Sequence, residues 1–211
     1  MRFAYADPPY PGQAYKYRGH PDYAGEVDHG QLIARLEADY PDGWALSTSA
    51  RALQQVLALC PPTVAVGVWH ITNAEPPGNR PGRWWWCWEP VIVRGGRPGP
   101  VRNVLECGAS GTAGRFIGAK PAAFTRWMLA LLGARPEDTI DDLFSGSGAV
   151  GHAIESWRRQ PVLPLFTVPE VEKIKRDRRH AARDMRLAGH EGLWSAPPKS
   201  PRAAAAGDGL R

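Results

Sequence analysis

Two short stretches of this chain have residue types suited to chemistry, and they stand about 135 residues apart: Asp7-Pro8-Pro9-Tyr10, and Asp142-Leu143-Phe144-Ser145-Gly146-Ser147-Gly148. In the first, a carboxylate, a carbonyl and an aromatic ring follow one another. Each proline locks φ near −65°, so the direction of the Pro8 carbonyl is fixed. The set suits an amino group carried on a flat heteroaromatic ring. Asp7 can accept one N–H and the Pro8 carbonyl the other, while Tyr10 stacks on the ring. Such an amino group is a poor nucleophile because its lone pair is delocalised, and holding both N–H bonds favours the pyramidal nitrogen that attacks. Prearranged geometry of this kind carries much of a rate gain. On this reading the ring of Tyr10 matters more than its hydroxyl. In the second stretch the glycines allow positive φ and close approach to a ligand. By itself a Gly-x-Gly turn is unspecific.

The elements that must position these groups alternate between strand and helix, the pattern of an α/β sheet. Residues 1–6 read as a short strand that delivers Asp7 at its C-terminal end, where open α/β sheets place their ligands. A loop follows, then a helix capped by Asp28 and running to about Asp39. Residues 44–48 read as a strand, 50–59 as a helix ended by Pro61-Pro62, and 63–69 as a buried strand. Residues 71–83, rich in Pro, Gly and Asn, read as an exposed loop. Trp84, Trp85, Trp86 and Trp88 lead into a strand over 89–94. These tryptophans offer a base-stacking platform or DNA wedge, or else alternate between core and edge, since aromatic residues favour strands. Lys120-Pro121 opens an amphipathic helix with Phe124, Trp127, Met128 and Leu131 on one face. Pro121 suits its first turn and Gly133 its C-terminal cap. Residues 139–144 are the strand that enters the glycine turn, and a helix continues to about Trp157.

With those elements in place, Asp7-Pro8-Pro9-Tyr10 resembles the catalytic tetrapeptide of enzymes that methylate an exocyclic amino nitrogen. Asp142-Leu143-Phe144-Ser145-Gly146-Ser147-Gly148 resembles the loop with which they hold S-adenosylmethionine. Catalytic motif first and cofactor motif last resembles the circularly permuted beta class of DNA amino-methyltransferases, over about residues 1–166. The resemblance implies a Rossmann-like, mostly parallel sheet with an antiparallel edge hairpin. It implies Asp7, Pro8, Pro9 and Tyr10 as the catalytic pocket for a base flipped out of the duplex. Lys120 would help bind the methionine part of the cofactor, and Asp142, Phe144, Ser145, Gly146 and Gly148 would hold the remainder. Trp69-His70 and Trp88-Glu89-Pro90-Val91-Ile92 are similar to a further pair of family segments, with His70 where a lysine is common. Leu143 replaces the family's usual proline. The acid that normally follows the next strand and holds the cofactor's ribose is missing after residues 162–166, and Glu170 is the nearest one downstream.

Asp at position 7 resembles the adenine-N6 enzymes, since cytosine-N4 enzymes usually carry Ser there. Protein-glutamine and ribosomal guanine methyltransferases usually carry Asn and place the cofactor loop first. Residues 117–124 and 142–144 also resemble small methyltransferase-like proteins of actinobacterial phages and prophages, which implies a phage or restriction-modification setting. The implied activity is methylation of adenine N6 in DNA. The alternatives are an inactive nucleic-acid-binding relative and a cytosine-N4 or RNA methyltransferase.

At 211 residues the chain fits one such domain with an extension. We expect the methyltransferase unit over residues 1–169, a basic helical extension over 170–194 and a disordered tail over 195–211. No apolar run reaches the ~18 residues of a membrane span and the chain opens directly on its motif, so the expected location is the cytoplasm. Cys60, Cys87 and Cys107 are odd in number and lack Cys-x-x-Cys spacing, against a disulfide framework or a metal site. The net charge is +5. From Glu170 onward there are 10 Lys and Arg against 6 Asp and Glu, so +4 of the excess lies there. Arg80, Arg83, Lys173, Lys175 and Arg176 are therefore candidate phosphate contacts, with a solvated helix face as the other reading of the last three.

Overall fold

The computed structural model of the chain describes residues 1–19, 23–76, 85–110 and 119–159. Within them, β1 (Arg2–Ala6), β2 (Gly43–Ser47), β3 (Ala65–Ile71), β4 (Trp88–Gly95), β5 (Val104–Cys107) and β6 (Thr139–Asp142) form one sheet in the order β5-β3-β4-β2-β1-β6. Helices α1 (His29–Asp39), α2 (Leu53–Leu57), α3 (Ala122–Leu131) and α4 (Ala149–Arg159) flank it. β1 pairs in parallel with β2 and β6, and β3 with β5. β4 alone runs the other way, antiparallel to both β2 and β3. The expected α/β sheet with its antiparallel hairpin is present, but β5 extends the sheet one strand beyond the hairpin. Three half-buried residues and the exposed Glu106 carry too little periodicity for β5 to stand out in the sequence.

Period-two alternation divides the strands between two apolar layers. On one face Phe3, Tyr5, Ala45, Trp69, Val91 and Val93 pack with Phe124, Trp127 and Met128 of α3 and Val150 and Ile154 of α4. On the other, Ala4, Ala6, Trp44, Leu46 and Ile92 pack with Leu32, Ile33 and Leu36 of α1 and Val56 of α2. Side chains as large as Trp44, Phe3 and Tyr5 are at most 1% exposed. Each such burial is worth roughly 2–3 kcal/mol.

Asp28 caps α1 as expected, its carboxylate accepting from the Gln31 amide at 3.0 Å. Pro121 stands one residue earlier than expected, as the extended N-cap of α3 rather than within its first turn. Gly133 follows α3 with φ +58°, and a Cβ there would lie 2.7 Å from the Arg97 carbonyl. β3 approaches α3 at Gly67, where a Cβ would meet the Trp127 ring at 2.9 Å. The expected strand at 162–166, the helical extension at 170–194 and the tail at 195–211 lie outside the described residues.

The entry to β6 is fixed by Asp138, whose side chain is 1% exposed. It accepts a bidentate pair from Arg97, one bond of 2.8 Å, and the Arg135 amide at 2.7 Å. The Arg97 guanidinium, outweighing burial, holds this carboxyl far below the ordinary carboxylate range. A depressed folded-state value stabilises the fold fully above the unfolded value near pH 4 and loses that contribution as pH falls toward the folded value. Asp138→Ala should therefore destabilise the chain by roughly 3 kcal/mol at neutral pH, the scale of a broken buried ion pair. In denaturant titrations the gap between variant and parent should narrow below about pH 4.

Candidate functional site

The parity that builds the α3 face of the sheet also builds the site. Along β1, Phe3 and Tyr5 point to that face, and Asp7 continues the series one step beyond the strand. Along β4, Val93 and Val91 share the face, and Glu89 follows them toward the same end. On β6, Ile140 leads in the same way to Asp142, which pairs with Tyr5. β4 runs backwards, so its beginning meets the C-terminal ends of β1, β2 and β6. Three carboxylates from three strands thus arrive at one end of one face.

Lys120, immediately before α3, reaches into this cluster. Its Nζ lies 3.1 Å from Asp7 Oδ2 and 3.0 Å from Glu89 Oε2, with only 3% of the side chain exposed. It also donates to the Tyr10 hydroxyl at 3.0 Å, and that hydroxyl in turn donates to Glu89 Oε2 at 2.9 Å. The rings of Tyr10, Trp69 and Phe124 surround the ammonium, with centroids at 5.6, 5.7 and 5.7 Å. Burial alone would favour the neutral amine, but the carboxylates of Asp7 and Glu89 overcome it and raise the Lys120 pKa. Burial pushes the Asp7 carboxyl up, the Lys120 ammonium opposes this, and the charge of Glu89 adds to it. Tyr5 lies beneath the group, its hydroxyl 2.8 Å from Ser47 Oγ.

Asp142 is the unbalanced member. Both its carboxylate oxygens are shut off from solvent without a hydrogen-bond partner among the described residues. Burial raises its pKa and nearby Asp7 adds to the rise, while the Phe144 N–H, outside hydrogen-bond geometry, opposes through its dipole. Beyond it, the Gly148 amide donates to the Ser145 carbonyl at 2.6 Å, closing the turn into α4. Gly146 and Gly148 take φ of +46° and +72°. Among the described residues a Cβ at Gly148 would meet nothing within 4 Å, so backbone conformation rather than crowding selects these glycines. Phe144 packs against the α1–α2 layer, and Ser145 is exposed.

The structure therefore brings Asp7, Tyr10, Lys120 and Asp142 to one end of the sheet, with Pro8 and Pro9 between the first two. Lys120 is turned onto Asp7, Glu89 and Tyr10. The Tyr10 hydroxyl, assigned no part from the sequence, holds two hydrogen bonds. Arg80, Arg83, Lys173, Lys175, Arg176 and Glu170 lie outside the described residues. Four participants were not singled out beforehand. Glu89 was only part of a resembling segment, and Trp69 and Phe124 read as strand and helix core. The fourth is Tyr17, in the 3₁₀ turn Ala14–Tyr17. Burial raises the Tyr17 pKa and Asp7 adds to it, which puts this hydroxyl within electrostatic reach of the cluster. Strand parity would have found Glu89; Tyr17 left no signal.

His70 faces Glu106 at 3.9 Å on β5, away from the cluster. Among the described residues no group of three or more His, Cys, Asp or Glu could hold a metal ion, and no helix is long and apolar enough to cross a membrane.

No protein-family model matches the sequence, and no curated protein matches it. Among solved structures, the fold is similar to that of M1.HpyAVI in complex with SAM, at a TM-score of 0.54 and 17% identity over 75% of this chain and 78% of that one. A second M1.HpyAVI structure scores 0.49 at 17% identity, covering 76% and 77%. A Thermus thermophilus protein, provisionally described as a DNA modification methylase, scores 0.47 at 14%, covering 83% and 87%. The first of these likenesses establishes a shared fold.

Removing the ammonium while leaving its carboxylates should expose its structural role. Lys120→Met should lose roughly 3 kcal/mol of stability at pH 7, because the half-buried carboxylates of Asp7 and Glu89 are then left without a counter-charge. Burial and the charge of Glu89 would then raise the Asp7 pKa above its unfolded value with no ammonium to oppose them. Stability should thus be regained as pH falls through the folded value, which urea titrations at pH 7 and pH 5 would register.

Proposed function

We propose that the chain transfers the methyl group of S-adenosylmethionine to the exocyclic amino nitrogen, N6, of adenine in DNA. The observation that carries this reading is the charge balance of the site. Three carboxylates, Asp7, Glu89 and Asp142, converge with one ammonium, and Asp142 is buried without a hydrogen-bond partner among the described residues, beside the glycine turn. A ligand that brings positive charge fits that arrangement, and S-adenosylmethionine carries a sulfonium and an ammonium. When bound, it supplies an activated methyl group. The fold shared with M1.HpyAVI, a protein whose structure is a complex with SAM, supports the same cofactor.

The residues then divide the work. Asp142 would accept from the ammonium of the cofactor, satisfying a carboxylate that has no hydrogen-bond partner among the described residues. Gly146 and Gly148 would let the backbone close on the ligand, and Phe144 and Ser145 would border it. Lys120 opposes the rise that burial imposes on the Asp7 pKa, and its three N–H bonds are directed at Asp7, Glu89 and the Tyr10 hydroxyl. Asp7 and the Pro8 carbonyl would accept the two N–H bonds of the adenine amine, aligning its lone pair on the methyl carbon. As that bond forms, the excess proton on nitrogen has Asp7 as its nearest acceptor. Tyr10 would lie against the flipped base, its ring orientation set by the bonds of its hydroxyl to Glu89 and Lys120. Asp rather than Ser at position 7 supports adenine over cytosine, since a carboxylate is the stronger acceptor.

Purified protein, S-adenosylmethionine and DNA, followed by nucleoside mass spectrometry, would test the assignment directly. N6-methyladenine is the expected product, and N4-methylcytosine or no product would overturn it. Asp7→Asn should lower turnover by about 100-fold or more while S-adenosylmethionine binds within a few-fold of the parent. Asp142→Asn should instead weaken cofactor binding in calorimetry by about tenfold or more, the worth of a hydrogen bond to a charged group.

The pH dependence gives a third check. Turnover requires ionised Asp7, so activity should fall as pH drops through its raised pKa. Glu89 is one cause of that elevation. Glu89→Gln should therefore move the acid limb of kcat/KM to lower pH, whatever its effect on the maximum rate.

A further inference from the structure

Large hydrophobic side chains left in water divide by chemistry along the sheet. Among the described residues they are Met1, Tyr15, Tyr23, Leu59, Trp85, Trp86 and Val101. All four aromatic ones lie in the connections at the catalytic end. Tyr15 and Tyr23 are on the β1–α1 connection, which starts from Asp7, and Trp85 and Trp86 are on the β3–β4 connection just before Glu89. The three aliphatic ones lie at the opposite end, before β1, after α2 and between β4 and β5. A random scatter of exposed apolar residues would not sort this way.

The two tryptophans are 52% and 40% exposed although adjacent in sequence, so neither the core nor a strand edge accounts for them. Arg51, exposed on the β2–α2 connection, sets its guanidinium 5.8 Å from the Trp86 ring centroid. β4, β2 and β1 are neighbours in the sheet. Arg51, Trp86 and Asp7 therefore leave three adjacent strands at the same end. Lys16 and Arg18 add exposed positive charge from the β1–α1 connection. Among the described acids beyond Asp7 on that connection, Glu26 accepts from the Gly12 and Ala14 amides and Asp28 from the Gln31 amide, so both carboxylates are held locally by backbone. Glu75 is the remaining acid on the described part of the β3–β4 connection.

We propose that this rim binds unpaired DNA beside the target base, with Trp86, backed by Arg51, stacking a neighbouring base, and Arg51, Lys16 and Arg18 meeting phosphates. Aromatic planes interleaved with cations are what a single strand requires. Every base offers a π-face for the ring, and the backbone between successive bases carries one negative charge per nucleotide. A base extruded into the Asp7 pocket leaves its neighbours unstacked, so a replacement surface is needed within a nucleotide or two of that pocket. The choice of DNA as partner rests on the methyl-transfer reading above; the existence of the surface rests on the sorting of the aromatic residues.

Anisotropy of the full chain with a labelled single-stranded DNA, and with RNA of the same sequence, would test it. Trp86→Ala should weaken DNA binding by roughly 5- to 100-fold, the loss expected of one base stack, and Trp86→Phe should recover most of it. Arg51→Gln should reduce the slope of log K against log salt by about 0.7 on a single strand. S-adenosylmethionine affinity should stay within twofold for all three, which also certifies their folding. DNA binding by Trp86→Ala within twofold of the parent would overturn the surface, as would equal damage from Phe and Ala or an effect confined to RNA. Any of those results alongside intact cofactor binding and adenine methylation would leave the methyl-transfer reading standing. Failure of the parent chain to bind S-adenosylmethionine would remove that reading instead.

Discussion

A protonated amine held almost out of water is the interaction on which the rest of the site depends. An unpaired buried ammonium would shed its proton or unfold its surroundings. Lys120 does neither because Asp7, Glu89 and the Tyr10 hydroxyl all lie within 3.1 Å of Nζ. Those partners come from the end of β1, the start of β4 and the loop that follows β1, while the lysine itself sits on the approach to α3. These segments share no local sequence. The ammonium therefore locks three connections together before any ligand arrives. Rings from Tyr10, Trp69 and Phe124 exclude water from it, which strengthens each of the charged contacts. Organisation made in the free protein need not be made again during the reaction, and in the proposed methyl transfer the alignment of a weak nucleophile is the main requirement.

The same interaction explains why the site lies over the α3 layer and not over α1. Odd-numbered positions of β1 face α3, and the series Phe3, Tyr5, Asp7 changes from apolar through amphipathic to ionised as the strand leaves the core. Val93, Val91, Glu89 on β4 and Ile140, Asp142 on β6 make the same transition. Each strand spends its buried length on packing and its last inward position on a carboxylate. Asp7 and Glu89 share the single ammonium of Lys120, and Asp142 has no hydrogen-bond partner among the described residues. Three carboxylates against one ammonium leave a surplus of negative charge that is costly in the free protein and would become favourable on entry of a cation, as the proposed cofactor requires.

Much of this was legible where the chemistry is local. The paired prolines, the glycine turn and the Lys120-Pro121 helix announce themselves because a fixed φ, a positive φ and an i, i+3, i+4 stripe are properties of a few consecutive residues. The Asp28 cap and the Gly133 stop were legible for the same reason. What escaped was set by pairing across the sheet. Glu89 is an ordinary strand acid until its register opposite Trp69 and its parity with Val91 are known. Phe124 and Trp69 satisfied the pattern of core residues and are core residues, so nothing in the sequence distinguishes them as the rings that Lys120 lies over. Candidate nucleic-acid residues were drawn from runs of charge, Arg80, Arg83, Lys173, Lys175 and Arg176. Charge density along a chain says nothing of which end of a sheet a residue will occupy.

The reversed direction of β4 ties these points together. In an all-parallel sheet the segment before a strand lies at the end away from the ligand, and Trp85, Trp86 and Glu89 would have been carried to the far side of the molecule. Running antiparallel between β2 and β3, β4 instead begins at the end of the sheet that carries Asp7 and Asp142. One strand inversion thus supplies both the second carboxylate that steadies Lys120 and, just upstream of it, the exposed indole beside Arg51. The inward residue of the hairpin serves the buried site, and the outward segment immediately preceding it serves the rim. The short stretch from Trp86 to Glu89 fixes how far a stacked base can lie from the pocket, because a few residues of extended chain span only about 10 Å. That reach corresponds to one or two nucleotides, the interval at which a strand with one base extruded has lost its own stacking.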